Sequence, residues 1–439
     1  MRHLSIGGGS TRLLIFVTGF ALLAGTGAAV AAASTPPPSP AAPAKATAAG
    51  TDSPSPVSGP AAHGQHFVTT WGSSMQGLDA HFLTDTTIRM IARVSVGGAS
   101  IKVRLSNAYG PQPLRIQAAA VGIASGQPFT GSSVRPGTIT ALKFSGSSSV
   151  TIPPGQEAWS DAAPLAVPAN TDIAVSMYLP GASVPITDHT GAVVTSFYSN
   201  ENAGNHTGDT SGSAFTQTTT AMFLLDAVAV KAPAPVCAVV AFGDSITDGT
   251  ASTIDGHNRW EDFLARRVDD LGNRSLAIVN EGIGGNTVTA SVGADIGPKA
   301  IDRQSRDVLS LPGVCDVIVF MGTNDIAHGA TPASAIIAGL QQIISKDKAA
   351  GFRTIGVTII PRDLATGWVP ATMDPIRDQV NAFIRNSGKF DGVIDFDALL
   401  KDPQSPNVLN PLYGSDDHIH PNPYGYFVMG SSVPLNLLH

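Results

Sequence analysis

A serine, a histidine and an aspartate stand where they could together carry out acyl transfer. Ser245 follows the apolar run CAVVAF and the pair Gly243-Asp244, and a serine hydroxyl needs a base to take its proton at neutral pH. His420 is the natural base. Asp417, three residues earlier, can hold the imidazole ring and stabilise its charged form. These residue types predict a covalent acyl-enzyme on Ser245.

The same chemistry needs hydrogen-bond donors that are fixed before the oxyanion forms. The main-chain N–H groups of Ser245 and Gly285 and the side-chain amide of Asn324 can supply three donors. Gly284 is an alternative to Gly285. A side chain at position 285 would crowd the substrate carbonyl and restrict the backbone, so we expect the oxyanion hole to consist of Ser245, Gly285 and Asn324.

Other polar residues beside His420 offer competing assignments. Asp416 and His418 could act as the orienting acid and the base, but the three-residue spacing from Asp417 to His420 directs both side chains toward one centre within a turn. The same cluster could also bind a metal ion. Two histidines and two carboxylates crowded within five residues rarely surround one ion with good geometry. We therefore predict neither a metal nor a cofactor.

Apolar strands alternating with helices must position these residues. The runs CAVVAF, LAIVN, CDVIVFM, TIGVTII and GVIDF are continuous, as in strands that are buried on both faces. Helices are predicted over 260–271, after Pro298, over 331–351, from Asp374 with Pro375 in its first turn, and after Pro423. We expect a flavodoxin-like three-layer α/β/α domain over residues 233–439, with strand order 2-1-3-4-5.

In an open parallel sheet, ligands bind beyond the carboxyl ends of the strands. The candidate residues fall after strands one, two, three and five, and the predicted order puts the Ser245 strand between those of Gly285 and Asn324. Asp244 and Asp325 stand beside candidate residues. We interpret them as residues that fix loops by hydrogen bonding and not as catalytic acids.

Residues 64–232 have a different sequence pattern, which predicts short strands and frequent turns. Ile101, Val103 and Leu105 alternate with Lys102 and Arg104, which is the period-two pattern of a half-buried strand. No convincing amphipathic helix interrupts this region. The pattern predicts an all-β sandwich-like domain.

The first 63 residues predict export and a spacer. Arg2 and Arg12 form a basic region before an apolar run over 13–23, and the small residues of 28–33 offer A-x-A cleavage sites. A membrane anchor is the alternative, but the apolar run is short for a span. Residues 1–33 are thus predicted to be a signal peptide of a secreted protein, and the Pro/Ala-rich residues 34–63 a disordered linker.

The formal net charge of −7 becomes two units more negative when the leader is removed. An acidic protein has no electrostatic reason to bind nucleic acid or anionic lipid, and we expect neither nucleic-acid binding nor stable membrane insertion.

Cys237 and Cys315 each begin a predicted strand, and these strands should be parallel neighbours. A disulfide is favoured in an oxidising compartment; two buried free thiols are the alternative.

The blocks GDSITDG, GIGGNTV, GTND and DDHIHPN stand in the order and rough spacing of those that define the SGNH (GDSL) hydrolases. The resemblance covers about 236–435. It implies that the nucleophile, base, orienting acid and oxyanion residues are Ser245, His420, Asp417, Gly285 and Asn324. One departure is His418, where relatives often carry glycine. No G-x-S-x-G elbow surrounds Ser245, which sets aside other serine-hydrolase families.

The run GDSITDGTAST…NRW and the β-rich region before it resemble the secreted branch that includes xylan-associated arylesterases. This implies a secreted serine esterase acting on short-acyl, aryl or acetylated carbohydrate esters, small or polymeric. The alternatives are a lipid esterase or lysophospholipase, and a non-catalytic polysaccharide-binding protein built on a hydrolase scaffold. The β-rich domain could bind carbohydrate or pack over the rim of the site.

Overall fold

The computed structural model describes residues 64–181, 184–272, 275–291, 293, 296–329, 331–362 and 366–439. The predicted leader and linker lie outside the described residues. The described residues all belong to one compact unit, in which a strand-rich part precedes a part with a parallel sheet and helices. Nowhere in these ranges does a helix have both the length and the apolar character needed to cross a bilayer.

The strand-rich part has antiparallel strands that are mostly short. They are β1 (Gln65–Gly72), β2 (Gly77–Leu83), β3 (Thr86–Val94), β4 (Ile101–Ser106), β5 (Leu114–Ile116), β6 (Ala118–Gly126), β7 (Phe129–Val134), β8 (Thr140–Ala141), β9 (Val150–Ile152), β10 (Glu157–Trp159), β11 (Thr171–Leu179), β12 (Val184–His189), β13 (Ser196–Tyr198), β14 (Gln217–Thr219), β15 (Met222–Phe223) and β16 (Leu225–Pro233).

Two larger sheets are formed by these strands, in the orders β1-β16-β4-β10 and β14-β13-β3-β11-β6-β7, with β8 beside β6. Smaller sheets are β15-β12-β2 and β5-β9. Both larger sheets contribute to one apolar core, for example through Val103 of β4 and Met90 of β3. Burial of these apolar side chains drives the packing of this part. The sandwich layering itself stays a prediction.

The alternation in β4 is confirmed on one face only. Ile101, Val103 and Leu105 are fully buried, but Arg104, predicted to lie on the exposed face, is buried as well. Its Nε donates to Asp226 Oδ1 at 2.9 Å and its Nη1 donates to Ser310 Oγ at 2.6 Å. Because Ser310 belongs to the second part of the chain, that part contacts Arg104, whereas Lys102 on the same face is partly exposed.

The second part contains a parallel sheet of β17 (Cys237–Gly243), β18 (Leu276–Gly282), β19 (Val314–Phe320), β20 (Arg353–Val357) and β21 (Gly392–Ile394). Its order is β18-β17-β19-β20-β21, so the predicted order 2-1-3-4-5 is confirmed. Its helices are α1 (Ser245–Asp248), α2 (Trp260–Asp270), α3 (Ala300–Gln304), α4 (Thr323–Gly329), α5 (Ala333–Ala349), α6 (Pro370–Asn386), α7 (Phe396–Leu400) and α8 (Pro423–Ser432). A wider helical turn, Ser305–Leu309, continues α3.

The predicted start of α6 is wrong. The helix begins at Pro370, not at Asp374, and Pro375 lies inside it. A proline at the first helical position removes no hydrogen bond that the helix would make, so Pro370 is the better start. Asp374 instead accepts a hydrogen bond from Trp368 Nε1 at 2.7 Å.

The predicted disulfide is present between Cys237 and Cys315, whose Cα atoms are 5.8 Å apart. The two cysteines stand at the starts of the neighbouring strands β17 and β19, which is why they meet.

Replacing both cysteines by alanine is expected to lower the free energy of unfolding by about 4 kcal/mol, because the bridge closes a long loop in the unfolded chain. The cysteines are 78 residues apart. Urea unfolding of the oxidised protein and of the double variant measures the difference. An unchanged free energy of unfolding would contradict a stabilising role.

Candidate active site

Ser245 is the first residue of α1 and follows β17 after a single intervening residue, Asp244. Its Oγ lies 2.7 Å from His420 Nε2. His420 Nδ1 lies 2.6 Å from Asp417 Oδ2. Asp417 and His420 belong to the loop that precedes α8. The structure thus brings the three predicted residues, which are up to 175 positions apart, into one hydrogen-bonded chain.

The carboxyl group of Asp417 is fixed by its own loop. Its Oδ1 accepts hydrogen bonds from Ser415 Oγ at 2.8 Å, Ile419 N at 2.8 Å and His420 N at 2.9 Å. Partial burial favours the neutral acid, but the bonds from His420, Ile419 and Ser415 outweigh it and hold the pKa of Asp417 well below its ordinary value. Asp417 is therefore a carboxylate at neutral pH and accepts hydrogen bonds without donating any.

The competing residues Asp416 and His418 are exposed. It is His420 whose ring contacts Ser245. His418 has a φ of 60°, in the left-handed region that glycine adopts most easily. The exposed histidine therefore adopts a turn conformation that would suit glycine.

A group of potential metal ligands lies elsewhere. Within the described ranges, the set whose ligand-type atoms all fall within 4.8 Å of one another is Cys315, Asp316 and His439. Cys315 is bonded to Cys237, so its sulfur is not a thiolate that could hold a metal.

Asn324 lies on α4, just beyond β19, and is buried. Its Nδ2 donates to the main-chain oxygen of Asn286 at 2.9 Å. That bond leaves the second amide hydrogen for another acceptor. Asn286 directly follows Gly285, so the side chain of Asn324 is tied to the loop that follows β18.

The structure distinguishes the two glycines of that loop. Gly285 has a φ of 73°, and a Cβ there would lie 2.9 Å from Ile296 Cγ2. A Cβ on Gly284 would find Asp248 Oδ2 at 3.5 Å, an ordinary contact, and its φ lies outside the left-handed region. The backbone therefore requires glycine at 285 and not at 284, for a reason of local conformation.

Asp325 fixes the same loop, as predicted. Its two oxygens accept main-chain N–H groups at 2.7 to 3.0 Å from Val288, Thr289 and Ala290. Asp244 caps α1 by accepting from Ile246 N at 3.1 Å. Burial raises the pKa of Asp244 to about 7, although the bond from Ile246 opposes the rise. Both aspartates therefore fix main-chain segments by accepting hydrogen bonds from N–H groups.

Arg362 is a residue near the site that the sequence analysis did not select. It is 7% exposed and follows β20. Burial lowers the pKa of its guanidinium, and the nearby carboxyl groups of Asp244 and Asp417 partly offset that effect. Its position after the fourth strand could have identified Arg362 as a candidate, because polar residues after the other strands were chosen as candidates for the same reason.

The strand-rich part also reaches α1, the helix that begins at Ser245. His189, at the end of β12, is buried, with its Nε2 3.0 Å from Asp248 Oδ1 and its Nδ1 2.8 Å from the Ser74 carbonyl oxygen. Burial would lower the pKa of His189, but Asp248 more than offsets this and the pKa is raised. Asp248 ends α1, three residues after Ser245. No local pattern in the sequence could have paired residues so far apart.

The pH dependence of activity is expected to follow His420. Burial lowers the pKa of His420, the charge of Arg362 lowers it further, and Asp417 opposes both without reversing the shift. Because protonated imidazole cannot accept the Ser245 proton, activity is lost as pH falls through this pKa. A profile of kcat/KM against pH should therefore show an acid limb below about 6.5, the ordinary pKa of imidazole.

The variant Arg362→Gln supplies the matching control, because loss of the positive charge should move the acid limb to higher pH. An acid limb at or above the ordinary imidazole value in the wild-type protein would contradict this account.

Residues 241–427 match the sequence model of the GDSL-like lipase/acylhydrolase family. The matched segment includes all five candidate residues, from Ser245 to His420. This segment is similar to that family, and the protein is a hydrolase that acts on ester bonds. No curated protein matches the sequence.

Solved structures resemble part of the chain. A protein of the lipolytic G-D-S-L family from Desulfitobacterium hafniense is 23% identical over 46% of this chain and 99% of its own, with a TM-score of 0.36. A GDSL-like lipase from Bacteroides thetaiotaomicron is 21% identical over 46% and 87%, with a TM-score of 0.33. A carbohydrate acetylesterase from Sinorhizobium meliloti is 15% identical over 45% and 96%, with a TM-score of 0.36.

Proposed function

We propose that the protein is a secreted serine esterase that hydrolyses carboxylic esters through an acyl-enzyme on Ser245. One observation carries the proposal: the chain of hydrogen bonds from Ser245 Oγ through His420 to Asp417, at 2.7 and 2.6 Å. Since ionised Asp417 only accepts, His420 Nδ1 must carry its proton and Nε2 must hold the free lone pair. Ser245 then donates to Nε2, which is the arrangement that proton transfer from serine requires.

In the first half-reaction, Ser245 Oγ bonds to the ester carbonyl carbon and its proton passes to His420 Nε2. The carbonyl oxygen becomes an oxyanion that accepts hydrogen bonds from Ser245 N–H, Gly285 N–H and Asn324 Nδ2–H. The bond from carbon to the alcohol oxygen then breaks, and His420 returns its proton to the departing alcohol. The product is the acyl ester of Ser245.

In the second half-reaction, water gives a proton to His420 and bonds to the acyl carbon. The second oxyanion collapses, the bond between the acyl carbon and Ser245 Oγ breaks, the carboxylic acid leaves, and Ser245 Oγ takes the proton back from His420. Asp417 remains a carboxylate throughout and stabilises the imidazolium. Apart from the ester and water, these steps involve side chains and main-chain groups of the chain itself.

The proposed substrates are short-acyl, aryl or acetylated carbohydrate esters. This choice is supported by the resemblance of the segment from Gly243 to Trp260, together with the preceding β-rich region, to the arylesterase branch. Secretion is supported by the leader-like residues 1–33 and by the disulfide between Cys237 and Cys315, since such bridges persist in oxidising compartments.

Hydrolysis of p-nitrophenyl acetate, butyrate and octanoate and of acetylated xylan tests this function, with Ser245→Ala as the control. We expect turnover of acetate or xylan that disappears in the variant. A preference for octanoate would favour a lipid esterase. Activity that survives in Ser245→Ala would contradict the proposed nucleophile, and no turnover of any ester would favour a polysaccharide-binding protein.

A further inference from the structure

A buried arginine lies beneath both loops of the proposed site. Arg303, on α3, is 1% exposed. Its Nη2 donates to the main-chain oxygen of Gly243 at 2.9 Å, two residues before Ser245. Its Nη1 donates to the main-chain oxygen of Glu281 at 3.0 Å and its Nε donates to Asn286 Oδ1 at 3.0 Å. One side chain therefore binds the ends of β17 and β18 and the residue next to Gly285.

Asn286 extends these contacts to Asn324. Its main-chain oxygen accepts from Asn324 Nδ2 at 2.9 Å, and its own side-chain amide donates to the main-chain oxygens of Ile296 at 3.1 Å and Pro298 at 2.9 Å. Arg303 therefore contacts the chain two residues before Ser245, at Gly243. Through Asn286 it is also connected to Gly285 and Asn324.

The strand-rich part supplies a further partner. Ser74, between β1 and β2, accepts from Arg303 Nη1 at 2.8 Å and donates to Glu281 Oε2 at 2.5 Å. A Cβ on Gly72 would lie 2.1 Å from Glu281 Oε1, so glycine there allows Glu281 to reach the backbone of β1. Ser74 lies outside the segment that matches the family.

Arginine suits this position better than lysine. Its planar guanidinium offers five N–H donors in fixed directions, and here it reaches five acceptor groups: Gly243, Glu281, Asn286, Ser74 and Asp307. Asp307 Oδ2, 3.1 Å from Nη1, balances its charge. A lysine ammonium has three donors on a flexible stem and could hold only some of these groups in place.

We infer that Arg303 is a positioning residue for ester hydrolysis, and that Ser74 makes the strand-rich part a contributor to the same site. The inference depends on the proposed function of Ser245. Oxyanion donors act because they are fixed before charge develops, and Arg303 fixes the backbone on both sides of them. Losing its contacts should therefore lower turnover more than substrate binding.

The test uses Arg303→Lys, Arg303→Met and Ser74→Ala in the full chain, with Arg377→Lys as a matched control. Arg377 is as deeply buried, on α6, and its Nη1 donates to Asp397 Oδ1 at 2.6 Å. Values of kcat and KM for p-nitrophenyl acetate are measured at a temperature where near-ultraviolet circular dichroism shows each variant folded.

We expect kcat to fall about 10- to 100-fold in Arg303→Lys, because a displacement of about 1 Å at a reacting centre can cost about 100-fold. Ser74→Ala should lose about tenfold, the size of one hydrogen bond to a charged group. KM should change little in either variant, and Arg377→Lys should keep the wild-type kcat even if its melting temperature falls. If Arg303→Met does not fold, the other two variants decide.

Failure of this inference and failure of the proposed function give different results. Folded Arg303→Lys and Ser74→Ala with wild-type kcat, alongside an inactive Ser245→Ala, would overturn the inference alone. Wild-type activity that Ser245→Ala retains would overturn the proposed function and the inference together.

Discussion

Ser245→Ala is expected to lower kcat on p-nitrophenyl acetate by a factor on the order of 10⁵ to 10⁶, with little change in KM. The hydroxyl lies 2.7 Å from His420 Nε2 and supplies the atom that bonds to the substrate. Alanine removes that atom and leaves the oxyanion donors and the fold in place, so a small residual rate above that of water is expected.

His420→Ala should lose nearly as much, and the double variant should be no worse than either single variant. The two side chains act as one unit, and removing either ends the proton transfer that both serve. Steady-state kinetics of the three proteins test this directly. Losses that multiply in the double variant would contradict a shared step.

Asn324→Ala is expected to lower kcat about 10²- to 10³-fold, the effect of removing one side-chain oxyanion donor. The variant lacks the amide hydrogen of Asn324 that would bond to the oxyanion, and the charge of the site does not change. The assay is hydrolysis of p-nitrophenyl acetate by folded protein.

Asn381→Ala is a matched control for that variant. Asn381 is also buried, and its Nδ2 donates to the main-chain oxygen of Ile359 at 2.9 Å, so its loss should lower stability with little effect on kcat. Near-wild-type turnover by Asn324→Ala would remove Asn324 from the oxyanion hole.

Much of the second part of the chain could be predicted because its signals are local. Continuous apolar runs specify strands buried on both faces, and the polar residues after them fall at the edge where ligands bind. The distance from Ser245 to His420 could not be predicted from spacing alone. The strand order β18-β17-β19-β20-β21 accounts for it, because it brings the loops after distant strands to one edge.

The features that the sequence did not reveal are contacts between residues that lie far apart in the chain. The alternation in β4 predicted an exposed Arg104, but a charged side chain can be buried where it meets partners, and Arg104 meets Asp226 at 2.9 Å. Arg303 and Ser74, 229 positions apart, stand in no recognisable motif. The start of α6 was misplaced because two prolines lie near it and either could begin a helix.

Residues of the strand-rich part contact the elements that carry the proposed active site. His189 contacts Asp248 at the end of α1, and Ser74 contacts Arg303 beneath both loops of the proposed site. These bonds lie within one compact unit. The boundary predicted near residue 233 separates two kinds of secondary structure, and its status as a boundary between independent domains stays a prediction.

The proposed role of Ser245 as the nucleophile can be tested chemically. The most direct measurement is reaction of the protein with diisopropyl fluorophosphate, followed by mass spectrometry of the intact chain and of its peptides. We expect a single phosphoryl adduct on Ser245, formed with loss of esterase activity and formed more slowly in His420→Ala. An adduct on another serine, with Ser245 unmodified in the inactivated protein, would contradict it.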